Sequence, residues 1–177
     1  MAASLSEVTG NLGKKNADIQ LVVFTLAGCE LAVEIHEVRE IIRAAEITMM
    51  PKAPKYVEGI INLRGRIFPV LDLRKRFGMP LVEKTNETRI LVVEKKDQVV
   101  GLLVDKVVEV LKVSPETIER TQRALLTIES EFVLGFLAIP GRLIALFQLE
   151  KIFSFEGLTA LPESESNSTG EFKAHGH

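Results

Sequence analysis

"EGIINLRGRIFPVLDLRKRF" (58–77) and "LGFLAIPGRLIALFQLEKIF" (134–153) lie on one another without a gap. With Val57 and Val133 placed in front, Val57/Val133, Gly59/Gly135, Gly65/Gly141, Arg66/Arg142, Leu73/Leu149, Lys75/Lys151 and Phe77/Phe153 are identical at a constant offset of 76. A second alignment lies upstream, where "ELAVEIHEVREII" (30–42) falls on "VVGLLVDKVVEVL" (99–111) at an offset of 69. Apolar character is kept at Leu31/Val100, Val33/Leu102, Ile35/Val104, Val38/Val107, Ile41/Val110 and Ile42/Leu111, and Glu40/Glu109 is identical. "LVVFTL" (21–26) matches "ILVVEK" (90–95) at the same spacing. Both alignments occur in one order, so the chain holds a structural unit twice, with halves near 19–80 and 88–155.

Each half reads as short strands joined by turns. "QLVVFTL", "AGC" and "ELAVEI" form a hairpin, because Gly28 supplies a turn between β-branched and aromatic runs. "ILVVEKKDQVVGLLV" repeats the plan with "KKDQ" as the turn. "GIINL" and "RIFPVL" make a third hairpin around "RG", and "GFLAI" with "RLIALF" copies it around "PG". Pro69 has no N–H to give a ladder, which predicts an edge strand or a bulge. Helical spacing of Ile35, Val38, Ile41 and Ile42 predicts a short helix, whereas the β-branched counterpart, Val104 to Leu111, predicts a strand. Asp72 is placed to cap a helical turn over "LRKRF", ended by Gly78 and Pro80.

The fold class is therefore mainly β, with small barrels or curled sheets arranged twice and few short helices. A half of about 65 residues buries too little surface to be robust alone, so the halves lean on each other across an apolar seam. Such a seam creates a groove, and grooves at junctions favour ligands and partners. The polar segments 1–18 and 156–177 offer little to bury and are expected to be mobile flanks of the 19–155 domain.

Composition narrows the function. No apolar run reaches the roughly 18 residues of a membrane helix, and the N-terminal stretch lacks a signal-like apolar segment, so a cytoplasmic location without membrane insertion is the default. The single cysteine, Cys29, cannot form an internal disulfide and reads as a small turn residue. A net charge of −2 gives no general attraction to nucleic acid or lipid.

No phosphate loop, dinucleotide fingerprint, nucleophile elbow, zinc-protease motif or paired cysteines occur, so neither enzymatic activity nor a cofactor is expected. His36 reads as an exposed residue on a short helix. His175 and His177 sit on a Gly-containing tail without the further ligands a metal site needs. The basic residues Arg64, Arg66, Arg74, Lys75 and Arg76 keep open a small-barrel nucleic-acid binder, although few aromatics are present to stack bases. Arg64 stands apart, because its repeat counterpart is Pro140 and the repeated fold does not demand a charge there. Glu40 is its natural partner for a charge-assisted hydrogen bond.

These residues bring a resemblance into view. "AVEIHEVREI" followed by "EGIINLRGRIFPVLDLRKRFG", with "VVGLLVD" later, resembles the bacterial chemotaxis coupling proteins of the CheW family over roughly residues 19–155. The resemblance implies two five-stranded SH3-like barrels packed side by side. It also implies a non-catalytic adaptor that binds the cytoplasmic tip of methyl-accepting chemotaxis receptors and the regulatory domain of the histidine kinase CheA, within membrane-associated arrays. The same fold occurs in that kinase domain and in CheV, but the chain is too short for catalytic modules or a receiver domain. Positions resembling the family's receptor-facing groove are Ile35, Val38, Glu40, Gly59, Arg64, Gly101 and Val110.

Overall fold

The structure is a computed structural model that describes residues 17–43, 47–120 and 130–153. Nearly all of both polar flanks lies outside the described residues, as do His175 and His177. Four hairpins carry the architecture: β1 (Ile19–Leu26) with β2 (Cys29–Glu34), β4 (Val57–Leu63) with β5 (Arg66–Asp72), β6 (Arg89–Lys95) with β7 (Gln98–Val104), and β10 (Val133–Ile139) with β11 (Arg142–Phe147). Their turns suit the right-handed strand twist. Ala27/Gly28, Arg64/Gly65 and Lys96/Asp97 have positive φ at both central residues, the mirror-image turn that joins paired strands without splaying them. In the fourth, Pro140 precedes Gly141 at φ +76°, so the copy uses a proline-led turn where the first half uses Arg64.

Two further strands, β3 (Val38–Arg43) and β8 (Lys106–Val113), decide how the duplicated units assemble. One sheet has the order β8-β1-β2-β11-β10-β9, with β9 only Ile118–Glu119, and the other has the order β3-β6-β7-β5-β4. We call them barrels A and B. The halves 19–80 and 88–155 are therefore not the two barrels, since each unit sends strands to both. Barrel B is one continuous run of strands, β3 to β7. Barrel A joins the N-terminal hairpin to strands β8 to β11 through the parallel pairing of β2 with β11. The expected five strands hold for barrel B. Barrel A gains β9, whose counterpart in barrel B is the single bridge Thr48–Ile60.

Strand alternation sorts the apolar residues into three cores. Leu21 and Val23 of β1 face the interior of barrel A with Ala32, Ile144 and Leu146, and Ile90 and Val92 of β6 face that of barrel B with Phe68 and Val70. The alternate residues Val22, Phe24, Leu31, Leu71, Leu91, Val93, Leu102 and Phe147 meet between the sheets. Strands buried on both faces need unbroken apolar runs, which is why "LVVF" and "ILVV" do not alternate with polar residues. The expected seam is this third core.

The helix predicted over Ile35 to Ile42 is replaced by one 3-10 turn, Ile35–Glu37, followed by β3. Strand β3 pairs with β6, and that tertiary pairing overrides the helical spacing of four apolar residues. His36 is exposed on the short turn, as expected. Pro69 lies in a strand with neighbours on both sides, correcting the edge-strand expectation. Its pair, Ile60, spends its N–H and C=O on Thr48, and the pairing of β5 with β7 begins only at Val70, so no ladder bond is demanded of Pro69.

Helix α1 (Leu73–Arg76) starts at Asp72, whose carboxylate accepts the Arg74 N–H at 2.9 Å. Replacing Asp72 with Ala should lower stability by about 1 kcal/mol through loss of this cap, read as a shifted urea midpoint at constant m value. An unchanged midpoint would mean that the cap is not needed. The second helix, α2 (Leu149–Phe153), is its repeat copy after β11.

Candidate functional site

Among the exposed large apolar residues, Ile41 and Val110 lie on the edge strands β3 and β8, while Met49, Leu81 and Val82 lie in loops. In β3, Val38 and Ile41 stand opposite Val93 and Leu91, so they point to the seam side of barrel B. In β8, Val110 stands opposite Val22 and points to the seam side of barrel A. Val38 is partly covered, while Ile41 and Val110 remain 41% and 50% exposed. The duplication thus gives each barrel an apolar edge where the seam reaches solvent. Ile35, on the link between β2 and β3, is also exposed.

Glu40 points the other way and meets Arg64 across the mouth of barrel B. The two guanidinium nitrogens donate to the two carboxylate oxygens at 3.1 and 2.9 Å. Glu40 is 24% exposed and Arg64 76%, so the pair stands as a rim with its arginine outermost. The copy in barrel A solves the same problem with another residue. Glu109, the counterpart of Glu40, is bound by Arg142 at 2.9 Å, and Arg142 also donates twice to Glu30. Bonds from Glu30 and then Glu109 raise the pKa of Arg142 above the ordinary arginine value. Each barrel therefore ties its edge-strand glutamate to an arginine of the facing hairpin, which supplies a structural use for Arg64 that its uncharged counterpart Pro140 concealed.

Two of the seven residues that the resemblance places in a groove serve the fold. A side chain at Gly59 would meet the Thr48 carbonyl oxygen at 2.2 Å, and one at Gly101 would meet Ile90 Cγ2 at 2.7 Å. Both are buried, so the geometry brings Val38, Glu40 and Arg64 to one edge of barrel B, sets Val110 on the pseudo-equivalent edge of barrel A, and keeps Gly59 and Gly101 beneath the surface. Ile41, not singled out from the sequence, shares the exposure of Val110, and its repeat relation to that residue is the signal that points to it.

The basic residues are engaged rather than arrayed for phosphates. Arg66 binds Glu94 and the Asp97 carbonyl, Arg74 binds Asp105, Lys75 binds Glu58, and Arg76 lies over the rings of Phe77 and Phe132. Cys29 begins β2 as a half-buried free thiol. Among the described residues, no group of three His, Cys, Asp or Glu is placed to hold a metal, and no helix is long and apolar enough to cross a membrane.

A pocket also opens at the barrel junction, walled by Glu34, His36, Glu37, Lys95, Leu134 and Glu150. Lys95 donates to Glu37 at 3.2 Å and lies 2.9 Å from Glu150. Burial opposes the lysine charge, but the bonds from Glu150 and Glu37 outweigh it and raise its pKa above the usual value; the Lys95 bond lowers that of Glu150.

A duplicated, mainly β chain whose two SH3-like barrels share a seam, and whose edge strands carry exposed apolar residues beside ion pairs, has the build of a docking module. Comparison with known proteins specifies which one. The CheW-like domain model matches residues 20–157. Chemotaxis protein CheW of Rhizobium meliloti is 42% identical over 141 residues, covering 80% of this chain and 91% of that protein. Probable chemotaxis protein CheW of Rhizobium etli is 41% identical over 137 residues, covering 77% and 88%. The crystal structure of scaffolding protein TtCheW from Thermoanaerobacter tengcongensis superposes with a TM-score of 0.72 at 38% identity, covering 79% of this chain and 90% of that one. The chain belongs to the CheW-like family.

Proposed function

We propose that this chain is a non-catalytic scaffold that couples methyl-accepting chemoreceptors to the histidine kinase CheA in cytoplasmic, membrane-associated signalling arrays. The observation that carries the reading is the Glu40–Arg64 rim beside the seam-facing Val38 and Ile41. A receptor tip is a helical hairpin, and the apolar face of a helix docks on a hydrophobic edge while a polar rim fixes its register. The names of the relatives, chemotaxis protein and scaffolding protein, support the same role. The kinase regulatory domain is assigned to a barrel face, and a modest interface suits contacts that must also separate.

Binding without turnover tests the proposal. Immobilised full-length chain should retain a receptor-tip fragment and the kinase regulatory domain at tens of micromolar, and retention of neither would end it. Arg64→Glu places a second carboxylate against Glu40 and should weaken the receptor fragment about tenfold, equivalent to about 1.4 kcal/mol. Adding Glu40→Arg should restore part of that loss, because the pair is re-formed with its charges exchanged. Independent losses in the double mutant would show that the ion pair is irrelevant to docking.

A further inference from the structure

The duplication relates two ionic ties across the barrel junction that the chain has built differently. On one side, Arg74 of α1, in barrel B, donates from Nε to Asp105 at 3.1 Å, from Nη2 to the same carboxylate, and from Nη1 to the Pro80 carbonyl at 2.8 Å. Asp105 is the single residue between β7 and β8, and it is tied into barrel A: its Oδ2 accepts the Ala27 N–H at 2.8 Å, and its own N–H donates to Thr25. Arg74 is buried, and α1 carries the Asp72 cap. In that connection the arginine is 11% exposed and Asp105 30%.

The offsets 76 and 69 carry Arg74 to Glu150 and Asp105 to His36. The helix retains its buried leucine, Leu149 for Leu73, and its entry bond, since the Gln148 N–H donates to Phe132 as the Asp72 N–H donates to Tyr56. The cap position holds Gln148, a residue type that caps poorly. His36 turns away to Glu34, and Glu150 is met instead by Lys95 of barrel B, which also holds Glu37 on the link between the barrels. Glu150 is 57% exposed, against 30% for Asp105 in the first tie, and the pocket described above lies beside it.

We propose that Lys95 and α2 form a releasable clasp across the barrel junction, the counterpart of a permanent lock made by Arg74, Asp105 and α1. An exposed ion pair is weak and screened by salt, whereas a buried arginine bonded through each of its three guanidinium nitrogens is held more firmly and screened less. Lifting α2 uncovers Leu149 and the adjoining seam wall, so any partner that takes Glu150 or Lys95 for itself also loosens that end of the junction.

Matched thiol probes test the clasp. In the full chain carrying Cys29→Ser, Leu73→Cys and Leu149→Cys place one cysteine at the same buried position of each helix. Leu149→Cys should react with a maleimide about tenfold faster than Leu73→Cys, and either 1 M salt or Lys95→Glu should accelerate only the former several-fold. Equal rates, or a Leu149→Cys rate indifferent to both salt and Lys95→Glu, would overturn the proposal. Should either cysteine variant fail to fold, hydrogen exchange on the unaltered chain at 0.1 and 1 M salt gives the same discrimination. Faster exchange confined to 149–153 and 35–37 supports the clasp, and no change there refutes it.

Discussion

Phe24→Ala is expected to cost about 3–5 kcal/mol, because the ring is fully buried in the seam and the barrels on either side have no freedom to close over the void. For a domain whose whole stability is about 5–15 kcal/mol, that brings the chain close to unfolding. The seam also predicts how it unfolds. Val22, Phe24 and Leu31 of barrel A touch the same core as Leu91, Val93 and Leu102 of barrel B, so neither barrel retains its second apolar face alone. One transition should therefore be seen in urea. The chain has no tryptophan and a single tyrosine, Tyr56, which packs against the seam just before β4, so its fluorescence follows the seam while circular dichroism follows the strands of both barrels. Coincident curves for both signals, shifted together by Phe24→Ala, are the expected result. Separate midpoints, with Phe24→Ala moving only one, would mean that the barrels are independent.

Gly59→Ala should be nearly as damaging, at about 3 kcal/mol, through overpacking and backbone strain together. Its φ of +152° is one that side chains avoid, and the added carbon falls 2.2 Å from a backbone oxygen, which cannot rotate aside. Gly28→Ala makes the control, since that turn also has positive φ but nothing lies within 4 Å of the new carbon. It should cost about 1 kcal/mol. The comparison bears on how binding defects are interpreted. Gly59→Ala should lose partner binding together with its melting temperature, whereas Arg64→Glu, at an exposed rim, should lose binding and keep its melting temperature within a few degrees. A Gly59→Ala protein that melts like the parent yet fails to bind would return Gly59 to the docking surface.

Local chemistry made much of this legible in advance. Hairpin turns announce themselves through glycine and proline between β-branched runs, and the repeated Gly59 and Gly135 follow from one constraint: each lies at a bulge against the backbone of a short neighbouring segment, Thr48 in one barrel and Glu119 in the other. The Glu40–Arg64 pair could be anticipated because the uncharged counterpart Pro140 shows that the repeated fold does not demand Arg64, and Glu40 offers it a charge-assisted hydrogen bond. Pairing across the chain was less visible. Val38, Ile41 and Ile42 have the spacing of a helix face, and only the presence of β6 as a partner makes them a strand. The exchange of the leading hairpins, β1–β2 and β6–β7, between units is hidden for a similar reason: every seam-facing strand is apolar, and hydrophobicity does not say which neighbour a strand will choose. Gly101 was placed among contact residues by family resemblance, while its burial depends on Phe68 and Val70 of β5 and Ile90 of β6, strands distant from it in sequence.

The insertion of barrel B between β2 and β8 sets a timetable for the nascent chain. The first hairpin leaves the ribosome early, but β2 acquires its parallel neighbour β11 only when residues near 144–146 have been made. At about 5–20 residues per second, more than a hundred further residues take roughly 5–20 s. Barrel B, encoded without interruption, can be assembled in that interval, leaving the N-terminal hairpin with a bare edge for chaperones to guard.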